Sequence, residues 1–299
     1  MNGRVFCIHG IAPTVDRERF LHRNLLPASV LRACLDATTD SFVSIDEALA
    51  GRGNALTIDD ATRAGADAAL MARAAGHSVT MFVNPGQVES GVPYHFLLLN
   101  ALLDQTRSAS VTFEGANYPT ETNRDRQALR RVLKKFLRHL EDDNERQNLV
   151  HHLAETWDAG SLDVGAPFAT LTVRELEALV AAGVDLQNHG WTHAFHPALQ
   201  PDESVEEIRR GRAWLHEKFG IDARWFAAPF GDSQPHDVEM DCDAWFTFNS
   251  EWPEGWLTAG VYNRVDLPLE QSRKKSLVGR AFTAIRNVAD RLSGTRYED

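Results

Sequence analysis

The amino-acid sequence predicts an α/β fold in which short buried strands alternate with helices around a parallel sheet. Short apolar runs, such as residues 4–8 and 78–83, are separated by longer stretches whose apolar residues have helical spacing. Strand, helix and strand at this spacing form a βαβ unit with parallel strands. Polar residues that can carry chemistry follow several of the runs, and parallel α/β folds build their sites at that end of the strands.

The N-terminal part shows this alternation most clearly. An apolar run precedes His9, and another precedes two carboxylates. An alanine-rich stretch ends at Gly76, and glycine commonly terminates helices. We expect, in order, a strand at 4–8, a helix at 24–35, a strand at 54–58, a helix at 62–76 and a strand at 78–83.

Residues 88–170 have few strand signals. Within them, residues 123–157 combine helical spacing with interleaved acidic and basic side chains. We expect an inserted, mainly helical segment at about 88–170. Two roles stay open for it: a cap with a solvated face, or a lid that covers the site and selects the substrate.

The alternation resumes at Leu171. Thr172 and Glu175 form a capping-box pattern that predicts a helix to residue 182. Further expected elements are a strand at 184–187, a helix at 202–219, and strands at 224–228 and 245–249. The tail at about 272–292 is basic, with apolar residues on one helical face. This pattern is typical of a helix that packs on the core, and also of one that contacts a membrane surface or a partner.

Composition narrows the class of protein. The 299 residues are 43% apolar, enough for one large α/β domain or two smaller ones. A net charge of −11 opposes general nucleic-acid binding, so we expect no nucleic-acid partner. No apolar run is long enough to cross a membrane, and the first residues lack the apolar stretch of a secretory signal. Three scattered cysteines suit a reducing compartment, so a cytoplasmic location is expected.

Two adjacent carboxylates, Asp59 and Asp60, follow the expected strand at 54–58. Adjacent ionised carboxylates repel each other, and a cation near both removes that penalty. A solvated loop at the end of the strand is the other interpretation of the pair.

His189 and His193 follow the expected strand at 184–187 and lie on one face if the segment turns helically. Two imidazoles and one carboxylate suit a metal such as zinc and leave positions for water and substrate. A capped surface turn is the alternative, and His196 is a spare candidate ligand.

A third segment, residues 227–231, combines small residues with a proline and lets the backbone approach a ligand. A backbone N–H there is able to stabilise an oxyanion, although for this segment taken alone a plain turn is the favoured interpretation. His9 ends the first strand on the same side as these segments.

In order and spacing, these segments resemble the polysaccharide deacetylase (NodB homology) family, carbohydrate esterase family 4. The sequence Leu-Thr-Ile-Asp-Asp-Ala at 56–61 is similar to the family's T-F-D-D-G block. The sequence His-Gly-Trp-Thr-His at 189–193 is similar to its H-[ST]-x-x-H block, and Phe-Ala-Ala-Pro-Phe-Gly at 226–231 to its third block. The resemblance covers about residues 1–87 and 170–268.

The resemblance implies a single catalytic domain over residues 1–299, folded as a distorted (β/α)7-type barrel. It also implies a divalent metal, usually zinc. By position in the blocks, Asp59 corresponds to the catalytic base. Asp60, His189 and His193 correspond to the metal ligands, and the backbone N–H of Phe230 corresponds to the oxyanion donor.

Three positions depart from the family pattern. Ala61 replaces the final glycine of the first block, and Ala227 replaces an arginine that opens the third block in many members. Arg224 and Arg264 are candidates to replace that arginine beside the base. The family's last block supplies a histidine as general acid, whereas no histidine follows His236 here. The candidates for the acid are His9, then His236, then a metal-bound water.

The expected function is metal-dependent hydrolysis of the N-acetyl or N-formyl group of an amino sugar. The sugar would belong to a surface polysaccharide, a lipopolysaccharide O-antigen or a nucleotide- or lipid-linked precursor, and the tail helix suits contact with a membrane. The alternative is a catalytically idle carbohydrate-binding protein on the same barrel.

Overall fold

The computed structural model describes residues 3–267 except 39, 141, 232–234 and 236–239. The expected basic helix at 272–292 and the candidate acid His236 lie outside the described residues. None of the described helices is both long and apolar enough to span a bilayer.

Short strands supply the framework of the fold. In chain order they are β1 (Val5–Ile8), β2 (Ile11–Ala12), β3 (Leu26–Pro27), β4 (Ala55–Ile58), β5 (Thr80–Val83), β6 (Ser110–Phe113), β7 (Ala116–Pro119), β8 (Asp185–Asn188), β9 (Trp225–Ala227), β10 (Ala244–Thr247), β11 (Gly255–Thr258), β12 (Val261–Asn263) and β13 (Val265–Asp266).

The main sheet has nine strands in the order β11-β12-β10-β9-β8-β5-β4-β1-β13. Every neighbouring pair is parallel except β11 with β12. β1, β4, β5 and β10 are buried at all of their positions, as strands covered on both faces must be. The expected α/β class with a large parallel sheet is therefore confirmed.

The two ends of this row of strands share one stretch of chain. β12 pairs with β10 at one end, β13 pairs with β1 at the other, and Arg264 alone separates β12 from β13 in the sequence. The ladder is interrupted at this residue, so continuous closure into a distorted (β/α)7-type barrel stays a prediction. The shared stretch nevertheless carries Arg264 next to β1 and β4.

Helices cover the sheet. They are α1 (Ala28–Ala37), α2 (Ile45–Leu49), α3 (Arg63–Ala74), α4 (Pro85–Ser90), α5 (His95–Gln105), α6 (Asn123–Arg138), α7 (Asp143–Thr156), α8 (Val173–Ala181) and α9 (Pro201–Phe219). The capping box expected for α8 is present, since the Thr172 hydroxyl accepts from Glu175 N and the Glu175 carboxylate accepts from Thr172 N. The largest apolar cluster lies between the parallel strands and the helices α1, α3 and α8.

Residues 88–170 form a mainly helical layer with its own apolar cluster, built from α5, α6, α7 and the hairpin of β6 and β7. The charged stretch at 123–157 is helical, as expected, and consists of two helices, because Asp142 caps a second helix through Glu145 N at 2.7 Å. The hairpin was not expected; Glu114 and Gly115 turn it with φ of 49° and 73°, as a tight two-residue connection requires.

Candidate active site

The two adjacent aspartates occupy the C-terminal end of β4. Asp59 N donates to Ile8 O at 3.0 Å, which continues the pairing of β4 with β1. Asp60 and Ala61 then adopt positive φ values of 76° and 45°, which turn the chain sharply. Both carboxylates are buried, so the solvated-loop interpretation of this pair is wrong.

Asp60 meets the two histidines that follow β8. Asp60 Oδ1 lies 3.4 Å from His189 Nε2 and 3.2 Å from His193 Nε2, and one ligand atom from each residue lies within 4.8 Å of the others. All three side chains are buried. The three residues expected to hold a metal therefore form one cluster, and His196 lies outside it.

The cluster has the protonation pattern of a metal site. His189 Nδ1 lies 2.7 Å from Ala227 O, and because a carbonyl only accepts, that nitrogen carries the proton of the neutral ring. Nε2 then presents a lone pair to the carboxylate, a contact that is repulsive unless a cation or a proton lies between them. Asp60 Oδ1 has no hydrogen-bond partner among the described residues. The donor set therefore fits a divalent cation such as Zn²⁺.

His193 is held in the form that binds metals. Burial lowers the pKa of this imidazole to about 4, so the ring is neutral at physiological pH. Its backbone has a φ of 58°, and Phe230 across the site has a φ of 66°. With Asp60, these residues account for half of the six described non-glycine residues with positive φ. Strain of this kind concentrates at functional sites, where the surrounding packing holds it in place.

Three further side chains, of which Asn84 and Tyr94 are buried and Glu207 is partly buried, hold the backbone around this cluster. Glu207 on α9 accepts from Thr192 N at 2.8 Å and from Thr192 Oγ1 at 3.0 Å. Asn84 donates to His189 O and to Gly190 O, and the Tyr94 hydroxyl donates to Asp60 O. Of these three residues, only Asn84 follows a strand directly, which is the position where the sequence predicts site residues.

Arg264 is the arginine beside the expected base. Its Nη1 and Nη2 each lie 2.7 Å from one oxygen of Asp59, and the guanidinium is fully buried. Burial raises the pKa of Asp59, but the charge and hydrogen bonds of Arg264 outweigh it and lower that pKa to about 2. Arg224, the other candidate, instead pairs with Asp46 and Asp243 at the surface. The base is therefore ionised throughout the physiological pH range.

His9 lies beside this pair. His9, Cys7 and Asp59 each place one potential ligand atom within 4.8 Å of the other two, and Cys7 Sγ is 3.5 Å from Asp59 Oδ2. Burial raises the pKa of the Cys7 thiol well above its usual range, and Arg264 already occupies both oxygens of Asp59. The thiol of this second group is therefore neutral and its carboxylate is already paired, so the group fits a metal less well than the cluster around Asp60 does, and His9 adjoins Asp59.

Aromatic rings surround His193 of the cluster of Asp60, His189 and His193. The Phe230 ring lies 4.9 Å from the His193 ring and 5.7 Å from the Phe195 ring, and the Phe96 ring also lies 4.9 Å from His193. These three phenylalanines are partly exposed and form an apolar rim. His196 packs between Phe226 and Trp245 with Nδ1 2.5 Å from Ser204 Oγ, which makes it a core histidine.

The structure also brings together a pair from the helical layer at 88–170 that no pattern in the sequence indicated. His95 opens α5 and Asp143 opens α7, and His95 Nδ1 lies 2.7 Å from Asp143 Oδ1. The His95 ring is 6.1 Å from the Phe230 ring, next to the apolar rim. The two residues are 48 positions apart, so no local sequence pattern indicates the pair.

Comparisons with known proteins agree with the class of site. The family model described as polysaccharide deacetylase matches residues 144–240, which include both histidine ligands and the segment at 227–231. The match supports, over this part of the chain, the resemblance to the polysaccharide deacetylase family that the sequence motifs indicate. No curated protein sequence matches it.

Two solved structures share the fold. The Streptococcus pyogenes deacetylase PplD, in complex with acetate, is 14% identical with a TM-score of 0.54, and the match covers 89% of this chain and 92% of that one. BC0361, a polysaccharide deacetylase from Bacillus cereus, is 12% identical with a TM-score of 0.51, covering 89% of this chain and 65% of that one. At these identities the likeness establishes the fold alone.

Proposed function

We propose that the protein is a metal-dependent hydrolase that removes the N-acyl group, acetyl in the first place, from an amino sugar. The observation that carries the proposal is the arrangement of Asp60, His189 and His193 beside Asp59, whose carboxylate is held by a buried arginine. The match of residues 144–240 to the polysaccharide deacetylase family model supports the amide bond as the target.

Each residue has a task in this reaction. A divalent cation held by Asp60, His189 and His193 would polarise the acyl oxygen and make water a stronger nucleophile. Asp59, ionised and fixed by Arg264, accepts a proton from the attacking water. The backbone N–H of Phe230 donates to the oxygen that becomes negative.

The apolar rim supports a small acyl group. Phe96, Phe195 and Phe230 surround one side of His193 and offer surface for a methyl group. They also exclude water from that side, which strengthens the electrostatic interactions within the site. We propose N-acetyl as the favoured substrate and keep N-formyl as the second choice.

The sugar carrier and the location of the protein form a separate part of the proposal. We propose a glycan or a nucleotide- or lipid-linked precursor in the cytoplasm, with residues 272–292 contacting the membrane. Sedimentation of the full chain with anionic vesicles tests this contact. Replacing Lys274 and Lys275 by Glu should abolish co-sedimentation.

Release of acetate and formate over a panel of N-acylated amino-sugar glycans and nucleotide sugars tests the function. Wild-type protein should release acetate, and Asp59→Asn, which keeps the three ligands, should release none while retaining its metal. Binding of a glycan without release of either acid, at full metal content, would establish the idle carbohydrate-binding protein instead.

A further inference from the structure

Cleavage of an amide needs an acid as well as a base. The nitrogen leaves as an amine only if it gains a proton as the C–N bond breaks, and a positioned side chain usually supplies that proton. Asp59 has the opposite task in the proposed reaction, since it accepts the proton of the attacking water while Arg264 fixes both of its oxygens. The site therefore needs a second proton-transfer group on the substrate side.

The pair of His95 and Asp143 has the construction of such a group. Asp143 Oδ1 lies 2.7 Å from His95 Nδ1, within hydrogen-bond distance. The same carboxylate accepts hydrogen bonds from Gln87 Nε2 at 3.1 Å and from Gln147 Nε2 at 2.6 Å. Burial raises the pKa of Asp143, but the hydrogen bonds from His95 and the two glutamines lower it overall, so the carboxylate is ionised. An imidazole with a carboxylate on Nδ1 is oriented and is stabilised when protonated.

The position of the pair also fits. The His95 ring lies 6.1 Å from the ring of Phe230, which itself lies 4.9 Å from the ring of His193. The neighbours of His95 in the sequence contact the metal cluster: Tyr94 donates to Asp60 O, and the Phe96 ring lies 4.9 Å from His193. Residues 94–96 thus connect the metal cluster to Asp143.

His9 is the rival for this role. It adjoins Cys7 and the base itself. The carboxylate in that group is Asp59, which is already committed to Arg264. His95, in contrast, has a carboxylate of its own, fixed by two glutamines.

We propose that His95, oriented by Asp143 and contributed by the inserted segment, is the general acid of the reaction; this inference rests on the proposed function. Water gives one proton to Asp59 and forms the new C–O bond. The C–N bond breaks, and protonated His95 passes its Nε2 proton to the departing nitrogen. The products are a carboxylic acid and an amine, and exchange with solvent returns the proton from Asp59 and reprotonates His95.

The choice of leaving group tests this assignment. Hydrolysis of an N-acetylglucosamine oligomer needs a proton on the leaving nitrogen, whereas 4-nitrophenyl acetate expels a stable phenolate without one. His95→Gln should lower kcat/KM for the oligomer by about 100- to 1000-fold, with a loss on the ester at least about ten-fold smaller. Asp143→Asn keeps an acceptor for Nδ1 but no charge, so it should show the same selectivity with a smaller loss.

Controls separate the acid role from a structural one. His151→Gln, at an exposed position of α7 in the same segment, should leave both rates unchanged. Metal content by elemental analysis and the circular dichroism spectrum should match the wild type in His95→Gln and in Asp143→Asn. If His95→Gln does not fold, the selectivity of Asp143→Asn decides the question.

Equal losses on the oligomer and the ester in folded, metal-loaded variants would overturn the assignment of His95. Selective loss in His9→Gln, without it in His95→Gln, would transfer the acid role to His9. Wild-type protein that hydrolyses neither substrate would overturn the proposed function and this inference together, so the two failures are distinguishable.

Discussion

The ion pair of Asp59 and Arg264 offers a quantitative test of how the site is built. Both partners are buried, and the guanidinium contacts both carboxylate oxygens at 2.7 Å. Replacing Arg264 by Met keeps an apolar stem of similar length but leaves a buried carboxylate without a partner. Breaking a buried pair from one side costs about 3–5 kcal/mol, so we expect the free energy of unfolding to fall by about 4 kcal/mol and the melting temperature by about 10 °C.

The double variant Asp59→Asn/Arg264→Met completes a mutant cycle. Because it removes the stranded charge, it should recover part of the loss, with a coupling energy of about 2 kcal/mol or more. Denaturant unfolding monitored by circular dichroism measures all four corners of the cycle. Arg224→Met is the matched control, since that arginine forms partly exposed ion pairs and its loss should cost less than about 1 kcal/mol. Additive single and double changes, or an equal loss in the control, would refute this description of the base.

Three further predictions follow from the site. In the folded protein the pKa of Asp59 is about 2, below its unfolded value of 3.8. This difference contributes about 2 kcal/mol of stability, which is complete above the unfolded pKa and is lost as the pH falls through the folded pKa of about 2. A constant difference in stability between wild type and Asp59→Asn/Arg264→Met from pH 7 down to pH 3 would contradict this prediction. Glu207→Gln should weaken zinc binding by about 10- to 100-fold in a competitive chelator titration. The control Glu206→Gln, on the exposed face of α9, should leave the affinity unchanged. Equal affinities in the two variants would show that Glu207 does not support the loop that carries the histidines. His193→Ala should leave the purified protein with almost no metal by elemental analysis, and a full equivalent in this variant would exclude His193 as a ligand.

The sequence was informative where the chemistry is local. The two aspartates, the two histidines and the segment at 227–231 each follow a strand directly, and parallel strands place those ends together. The capping box at Thr172 and Glu175 is local as well, and it is present as expected. Local patterns, together with the family resemblance, were therefore enough to predict that Asp60, His189 and His193 form one cluster.

The remaining parts of the site depend on contacts between distant residues. Arg264 and Asp59 are 205 positions apart, so the sequence could not show whether Arg264 or Arg224 is the partner of Asp59. The pair of His95 and Asp143 forms only because α5 and α7 pack side by side within the inserted segment. Glu207 is one of two adjacent glutamates on α9, and only the packing of this helix against the loop distinguishes it from Glu206.

A metal titration tests the central claim most directly. Chelator-treated protein receives increasing equivalents of Zn²⁺ while acetate release from an N-acetylglucosamine oligomer is measured. We predict a rate that rises linearly and reaches a plateau at one equivalent in the wild type, with no rise in Asp60→Ala, which lacks the shared carboxylate ligand. Acetate release that is independent of added metal, or a rise of equal size in Asp60→Ala, would contradict the assignment of this site.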